Sequence, residues 1–156
     1  MSKPAARKPT VISSGYETSV VRTAIAALLV VLGIVWIVVY VVFAQDAANH
    51  TAGLGTKPDN PLPWMADLKK WNYAIGFGMI FVGLAVSAHK STPLGRGRGV
   101  VVGMLGCFLI GLVWIVTFYF VSGNDSVPVM GDLGQYNLLV GIGFMAVGFT
   151  FATKWE

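Results

Sequence analysis

The chain has 156 residues, of which 55% are apolar and 12% charged, with a net charge of +4 and a mean hydropathy of +0.70. Soluble domains carry roughly 25% charged residues, so this composition excludes an ordinary water-soluble globule and points to lipid as the main solvent. The single cysteine, Cys107, excludes an internal disulfide and lies in an apolar run, where a lone thiol behaves as a small hydrophobe.

The first segment, residues 1–22, is a basic tail carrying Lys3, Arg7, Lys8 and Arg22. Four uncharged runs follow, at residues 23–45, 71–88, 99–124 (apolar from Val100 to Val121) and 133–153. A hydrocarbon core about 30 Å thick takes roughly 20 residues at a rise of about 1.5 Å each. The valine- and isoleucine-rich runs would favour strands in water. In lipid a helix is expected, because it pairs its own amides, and the runs lack the alternation of a barrel strand. The basic leader is too long, and the first run too long, for a cleaved signal peptide. The expected fold class is therefore an all-α integral membrane protein with four transmembrane helices.

With four spans, Lys3, Arg7, Lys8, Arg22, Lys90, Arg96, Arg98 and Lys154 share one side. Lys57, Lys69 and Lys70 fall on the other, offset by Asp46, Asp59 and Asp67. The excess of Lys and Arg places both termini in the cytoplasm. Tyr40, Trp64, Trp71, Tyr73, Tyr119, Tyr136 and Trp155 lie near span ends, as an interfacial aromatic belt would.

The two halves repeat. Gly33-Ile34-Val35-Trp36-Ile37-Val38 matches Gly111-Leu112-Val113-Trp114-Ile115-Val116, and Pro63-Trp64-Met65-Ala66-Asp67-Leu68 matches Pro128-Val129-Met130-Gly131-Asp132-Leu133. Asn72 pairs with Asn137, Gly76 with Gly141, Gly78 with Gly143 and Gly83 with Gly148. Shared Leu and Val would carry no weight, but Trp, Asp, Asn and four glycines in order indicate duplication. The units are residues 23–88 and 99–156, joined by a linker at 89–98 whose Pro93, Gly95 and Gly97 disfavour a continuous helix. Two spans per unit make the hairpins parallel repeats about an axis along the membrane normal. The first outer loop is the longer, with a Pro/Gly-rich insertion around Gly53 to Pro61.

Because leucine gains little by leaving lipid, small residues are the informative apolar signal, since they permit close backbone approach. Gly76 and Gly83 fall on nearly one face, Ala74 and Gly78 are four apart, and so are Gly99 and Gly103. These are expected to be packing surfaces between the units or toward a partner. Trp64, Leu68 and Trp71 follow i, i+4, i+7 spacing, which predicts an amphipathic turn at the outer interface leading into the second span. Asn72 is expected to cap that span by accepting from its free amides. Asn49-His50-Thr51 and Asn124-Asp125-Ser126 form outer sequons of little weight.

No catalytic constellation is visible. His50 and His89 fall on opposite sides, no Cys/His cluster has metal-ligand spacing, and there is neither a phosphate loop nor a nucleophile elbow. The uncharged runs argue against a proton-coupled carrier, leaving a small four-helix transporter or channel as the alternative to a scaffold. No enzyme activity, cofactor, metal or nucleic-acid partner is expected.

The stretch Trp64-Met65-Ala66-Asp67-Leu68, then Trp71-Asn72-Tyr73-Ala74-Ile75, Phe77 and Gly83-Leu84, closely resembles the CrgA family of small actinobacterial cell-division membrane proteins. Gly33-Ile34-Val35-Trp36 resembles that family's first span, and Met130, Asp132-Leu133-Gly134, Tyr136-Asn137, Gly148 and Lys154-Trp155 form a looser second match. The resemblance implies a non-enzymatic septal component associated with the FtsZ-based division machinery and septal peptidoglycan synthases, which helps place, stabilise or restrain it. The usual member has one two-span unit and this chain has two, with Val129 where the first unit has Trp64. Fusion would supply the second unit at high effective concentration if single-unit relatives act as dimers. The resulting candidates for partner binding or packing are Trp36, Trp64, Met65, Asp67, Leu68, Trp71, Asn72, Tyr73, Gly76, Gly83, Trp114, Asp132, Asn137, Gly141 and Gly148, with homo-oligomerisation also open.

Overall fold

The computed structural model describes residues 18–50, 55–56, 58–121 and 127–154. Lys3, Arg7, Lys8, Gly53, Lys57, Trp155 and most of the two sequons lie outside the described residues. All described regular structure is helical: α1 Val20–Phe43, α2 Gln45–Asn49, α3 Pro63–Asp67, α4 Trp71–Ser87, α5 Arg98–Val121, α6 Pro128–Leu133 and α7 Asn137–Ala152. Short 3₁₀ turns at Pro93–Gly95 and Gly134–Tyr136 precede α5 and α7. The element order is that of two hairpins in series, α1 with α4 and α5 with α7. α4 also packs on α7 to join them.

Three apolar helical stretches are long enough to cross a membrane: Val20–Phe43, Arg98–Val121 and Pro128–Ala152. The last includes α6 and its turn. α4 alone has 17 residues, about 25 Å at 1.5 Å rise, and α7 alone has 16. Their boundaries correspond: Pro63 opens α3 as Pro128 opens α6, each with proline at the first turn, where a missing amide costs nothing.

The expected run at 133–153 is interrupted. Gly134 has φ of +52°, which breaks the path between α6 and α7, and Lys69 at the matching position has φ of +46°. Such backbone suits glycine and burdens a residue with a Cβ. The linker is folded as well. Thr92 donates its hydroxyl to the carbonyls of Ser87 and, at 2.7 Å, His89. Ser19 caps α1 by accepting from the Arg22 amide at 3.3 Å. Its own amide donates to the Ser91 carbonyl at 2.8 Å, tying the start of α1 to the linker. The Arg22 guanidinium lies 2.9 Å from His89 and donates to Ser91 Oγ at 3.1 Å.

The glycines correct one expectation. Gly33, Gly76, Gly83, Gly103, Gly111, Gly141 and Gly148 pack inside their own hairpins, and Gly143, against the Phe81 ring, is the one of these matched glycines that packs between them. A Cβ on Gly33 would sit 2.5 Å from the Gly76 carbonyl oxygen, and one on Gly111 would sit 2.6 Å from that of Gly141. Ile37 covers Gly76 as Ile115 covers Gly141. Gly83 abuts the Ala26 carbonyl, at 2.8 Å from its would-be Cβ, and Gly148 faces Phe108 and the Met104 carbonyl. Close backbone approach over these sites maximises dispersion contact where lipid supplies no hydrophobic drive. Of the other spaced pairs, Gly103 lies under the Phe151 ring, while a Cβ on Gly78 would meet nothing within 4 Å.

Candidate functional site

The end of the first unit opposite the linker is built around α3. Asn60 Oδ1 accepts from the Leu62 amide at 2.9 Å, turning the chain into Pro63. Met65 and Ala66 are buried, Leu68 is half-buried, and the path bends at Lys69 before α4 starts at Trp71. The bend prevents Trp64, Leu68 and Trp71 from forming one continuous helical face, because two short elements with different axes carry them.

Asn72 closes this corner, though not as an amide-accepting cap. Its Nδ2 donates to the Met65 carbonyl at 2.7 Å and to the Lys69 carbonyl at 2.8 Å. The residue is fully buried, and its Oδ1 is buried without a partner. Asn137 repeats the arrangement, donating at 2.8 Å to both Met130 and Gly134. Backbone carbonyls left open at the end of a short helix are costly in an apolar setting. One amide side chain supplies the donor for Met65, or Met130, and adds a second to the Lys69, or Gly134, carbonyl, tying α3 to α4, or α6 to α7.

The residues named in the first unit therefore divide. Met65, Asn72 and Tyr73 point inward and hold the corner, with Leu68 half-buried beside them. Trp64, Asp67 and Trp71 are exposed, Trp71 at 74%. Trp64 tilts against Trp36 with ring centroids 5.7 Å apart. Trp64, Trp71, Tyr119 and Tyr136 suit an interfacial belt. Tyr40 and Tyr73 do not: both are buried, packed edge to face at 5.1 Å. Tyr40 follows Ala26, Gly33 and Ile37 along the buried stripe of α1, and heptad-like spacing turns it toward α4.

Asp67 and Asp132 occupy matching positions with different surroundings. Asp67 is exposed. Asp132 Oδ1 accepts from Asn49 Nδ2 at 3.1 Å, and its Oδ2 is buried without a hydrogen-bond partner. Beside it, Gln45 Nε2 donates to the Pro128 carbonyl at 3.1 Å. Residues of α2 in the first unit thus hold α6 of the second. The Tyr40 hydroxyl is buried without a partner, and the Tyr73 hydroxyl interacts with Asp132. Sequence reading missed Gln45 and Asn49. Their i, i+4 spacing just past the first apolar run was the available signal.

Trp114 reaches across the units to pack edge to face on Phe77 at 5.4 Å. Its Nε1, like that of Trp36, is buried without an acceptor. Cys107 is buried and unpaired. Among the described residues no group of three or more His, Cys, Asp or Glu is placed to hold a metal ion. The described residues present an exposed group of Trp64, Asp67 and Trp71 at the α3–α4 corner, and exposed apolar faces along the long helices.

The family model described as "Cell division protein CrgA" matches the chain twice, over residues 1–90 and 87–156. A protein of that name from Streptomyces avermitilis is 49% identical over 53 residues, covering 34% of this chain and 60% of the relative, so this match spans less than two thirds of the relative's length. One from Corynebacterium aurimucosum is 32% identical over 75 residues, covering 45% of this chain and 80% of the relative. One from Mycobacterium ulcerans is 33% identical over 85 residues, covering 54% and 81%. No solved structure matches the chain.

Proposed function

Because the chain belongs to the CrgA family of cell division proteins and carries two tandem copies of its unit, we propose that it acts as a non-enzymatic scaffold of the septal machinery, working through protein–protein contacts in and just outside the membrane. Membership itself makes it a cell-division membrane protein, and the family's description favours division over transport. Divisome proteins, including FtsZ-associated components and septal peptidoglycan synthases, are the proposed partners. The observation that carries the reading is the split within the family-like block. Met65, Asn72 and Tyr73 are committed to internal structure, whereas Trp64, Asp67 and Trp71 stand exposed at the surface, with Trp64 tilted against Trp36. Exposed aromatics on a braced corner are the usual composition of a recognition patch.

The proposed topology has four crossings with both termini cytoplasmic. α4 and α7 are short for the bilayer core, but each is led in by a corner bearing exposed aromatics, Trp71 and Tyr136, which suit the headgroup region. Cysteine labelling tests this separately from function. In a C107A background, D59C should react with an impermeant maleimide on intact cells and S91C only after permeabilisation. Outside labelling of S91C would reverse the orientation.

The functional test is a fluorescent fusion at the N-terminus, imaged in dividing cells of the native host. Enrichment at division sites is expected. An even membrane signal from a fusion that restores a deletion strain would defeat the scaffold reading.

A further inference from the structure

We infer that the chain self-associates head to tail in the plane of the membrane, repeating between copies the contact that joins its own two units. The inference is independent of any role in division, but it rests on the parallel arrangement of the hairpins proposed above, which the cysteine labelling tests by itself.

The starting point is the kind of interface the two units make. In an isologous pair every contact has a reciprocal, since the same patch is used on both sides. In the register that pairs Gly78 with Gly143 and Trp36 with Trp114, this can be checked residue by residue. Phe81 of α4 packs edge to face on Phe144 of α7 at 5.1 Å and lies against Gly143, where an added Cβ would meet its ring at 2.5 Å. Phe77 packs on Trp114. The reciprocal contacts would place Ala146 over Gly78 and Met79, and Ile142 against Trp36. They are not made: the space over Gly78 is open, Ile142 is 54% exposed, and Trp36 tilts on Trp64 instead. The interface is therefore heterologous. The first unit contributes its Phe77/Phe81 face, and the second contributes its Gly143/Phe144 face.

A heterologous contact between two copies of one unit leaves one partner face unused at each end. Burial shows both. Val140 and Val147, on the joined side of α7, are each 6% exposed, whereas their counterparts Ile75 and Val82 on α4 are 36% and 54% exposed. At the other end, Ile142 and Ala146 of α7, the counterparts of Phe77 and Phe81, are exposed. The free face of the second unit is the positional counterpart of the one that already seats on the Gly143 surface, with the smaller Ile142 and Ala146 in place of Phe77 and Phe81, and the first unit offers the matching surface around Gly78. Ala146 opposite Gly78 is small on small, which lets two helices approach closely in lipid. The occupant this points to is a second copy of the chain. Repetition then gives a ring if the rotation closes and an open row if it does not.

The test uses full-length protein in native-like membranes, with Cys107 replaced by alanine. Chains bearing A146C alone and M79C alone are cross-linked with a short bismaleimide, separately and after co-expression. Head-to-tail association yields dimers only in the mixture, several-fold above either single variant, and the double variant M79C/A146C yields a ladder beyond dimer or one closed oligomer. An F81C/F144C chain, which should cross-link within itself, controls for reactivity and folding. Cross-links confined to like pairs would mean an isologous dimer. No cross-link where the control closes would mean that lipid covers both faces. Either result overturns the proposal.

Discussion

Gly33 and Gly76 meet so closely that a Cβ on Gly33 would lie 2.5 Å from the Gly76 carbonyl oxygen. The obstruction is backbone, which cannot rotate away, so the helices must separate. Gly33→Ala should destabilise the first hairpin by about 1–3 kcal/mol, the usual range for overpacking. Gly111→Ala should act alike in the second. Gly106→Ala, where an added Cβ meets nothing within 4 Å, should be neutral or slightly stabilising, since alanine favours helix by about 1 kcal/mol over glycine. Thermal unfolding of the purified protein in mild detergent checks all three, and equal effects would refute the packing assignment.

The amide of Asn72 donates to the Met65 carbonyl and shares the Lys69 carbonyl with the Asn72 backbone amide, which also donates to it at 3.2 Å. Removing the side chain in Asn72→Ala leaves the buried Met65 carbonyl open, at a cost of about 1–3 kcal/mol. Asn72→Asp should be worse than Asn72→Ala, because an ionised carboxylate faces those same oxygens and can donate nothing. Asn137 should show the same order. The same unfolding measurement decides it. If aspartate is tolerated better than alanine at both sites, the donors have been assigned the wrong way round.

Lys69 and Gly134 share a bend with positive φ. Left-handed backbone costs a residue with a Cβ about 1–2 kcal/mol. Lys69→Gly should therefore raise stability by about 1 kcal/mol, less the added chain entropy of glycine. Gly134→Ala should lower it by at least as much, because φ of +52° with ψ of −127° is territory only glycine enters readily. Opposite signs for the two substitutions are the diagnostic outcome.

Much of the helical content was legible because it depends on local properties. Uncharged length alone marks α1 and α5, and the ordered Trp, Asn and Gly matches expose the repeat. The register of the repeat even carries the corner bonds of Asn72 and Asn137. What sequence could not supply is direction. A pair of small residues signals close approach without naming the approaching helix, so Gly76 and Gly141 were open to the wrong partner. Tyr40 sits near a run end, which suits a belt, but it is also seven residues after Gly33, and that spacing puts it on the buried side. The expected span at 133–153 hid the break at Gly134, because a positive φ leaves no mark on hydropathy. The unlike surroundings of Asp67 and Asp132 were beyond reach altogether, since a heterologous junction treats matching residues differently.

That last asymmetry yields a prediction of its own. Asp132 accepts from Asn49 with one oxygen, while its other oxygen is buried and Asp132 interacts with the Tyr73 hydroxyl. Asp132 itself is only half-buried, and Asp132→Asn keeps an oxygen for Asn49, so it should stay within about 0.5 kcal/mol of the parent. Asp132→Ala loses the Asn49 contact and should fall below Asp132→Asn. Because Asn49 is exposed, a double-mutant cycle between Asn49→Ala and Asp132→Ala should return a coupling of only about 0.5 kcal/mol, in the range of solvent-screened pairs. Asp67→Asn and Asp67→Ala, at the exposed counterpart, should stay within about 0.5 kcal/mol of the parent. If the Asp67 and Asp132 substitutions prove interchangeable in detergent unfolding, then α6 does not dock on α2, and the polar clasp between the units is disproved.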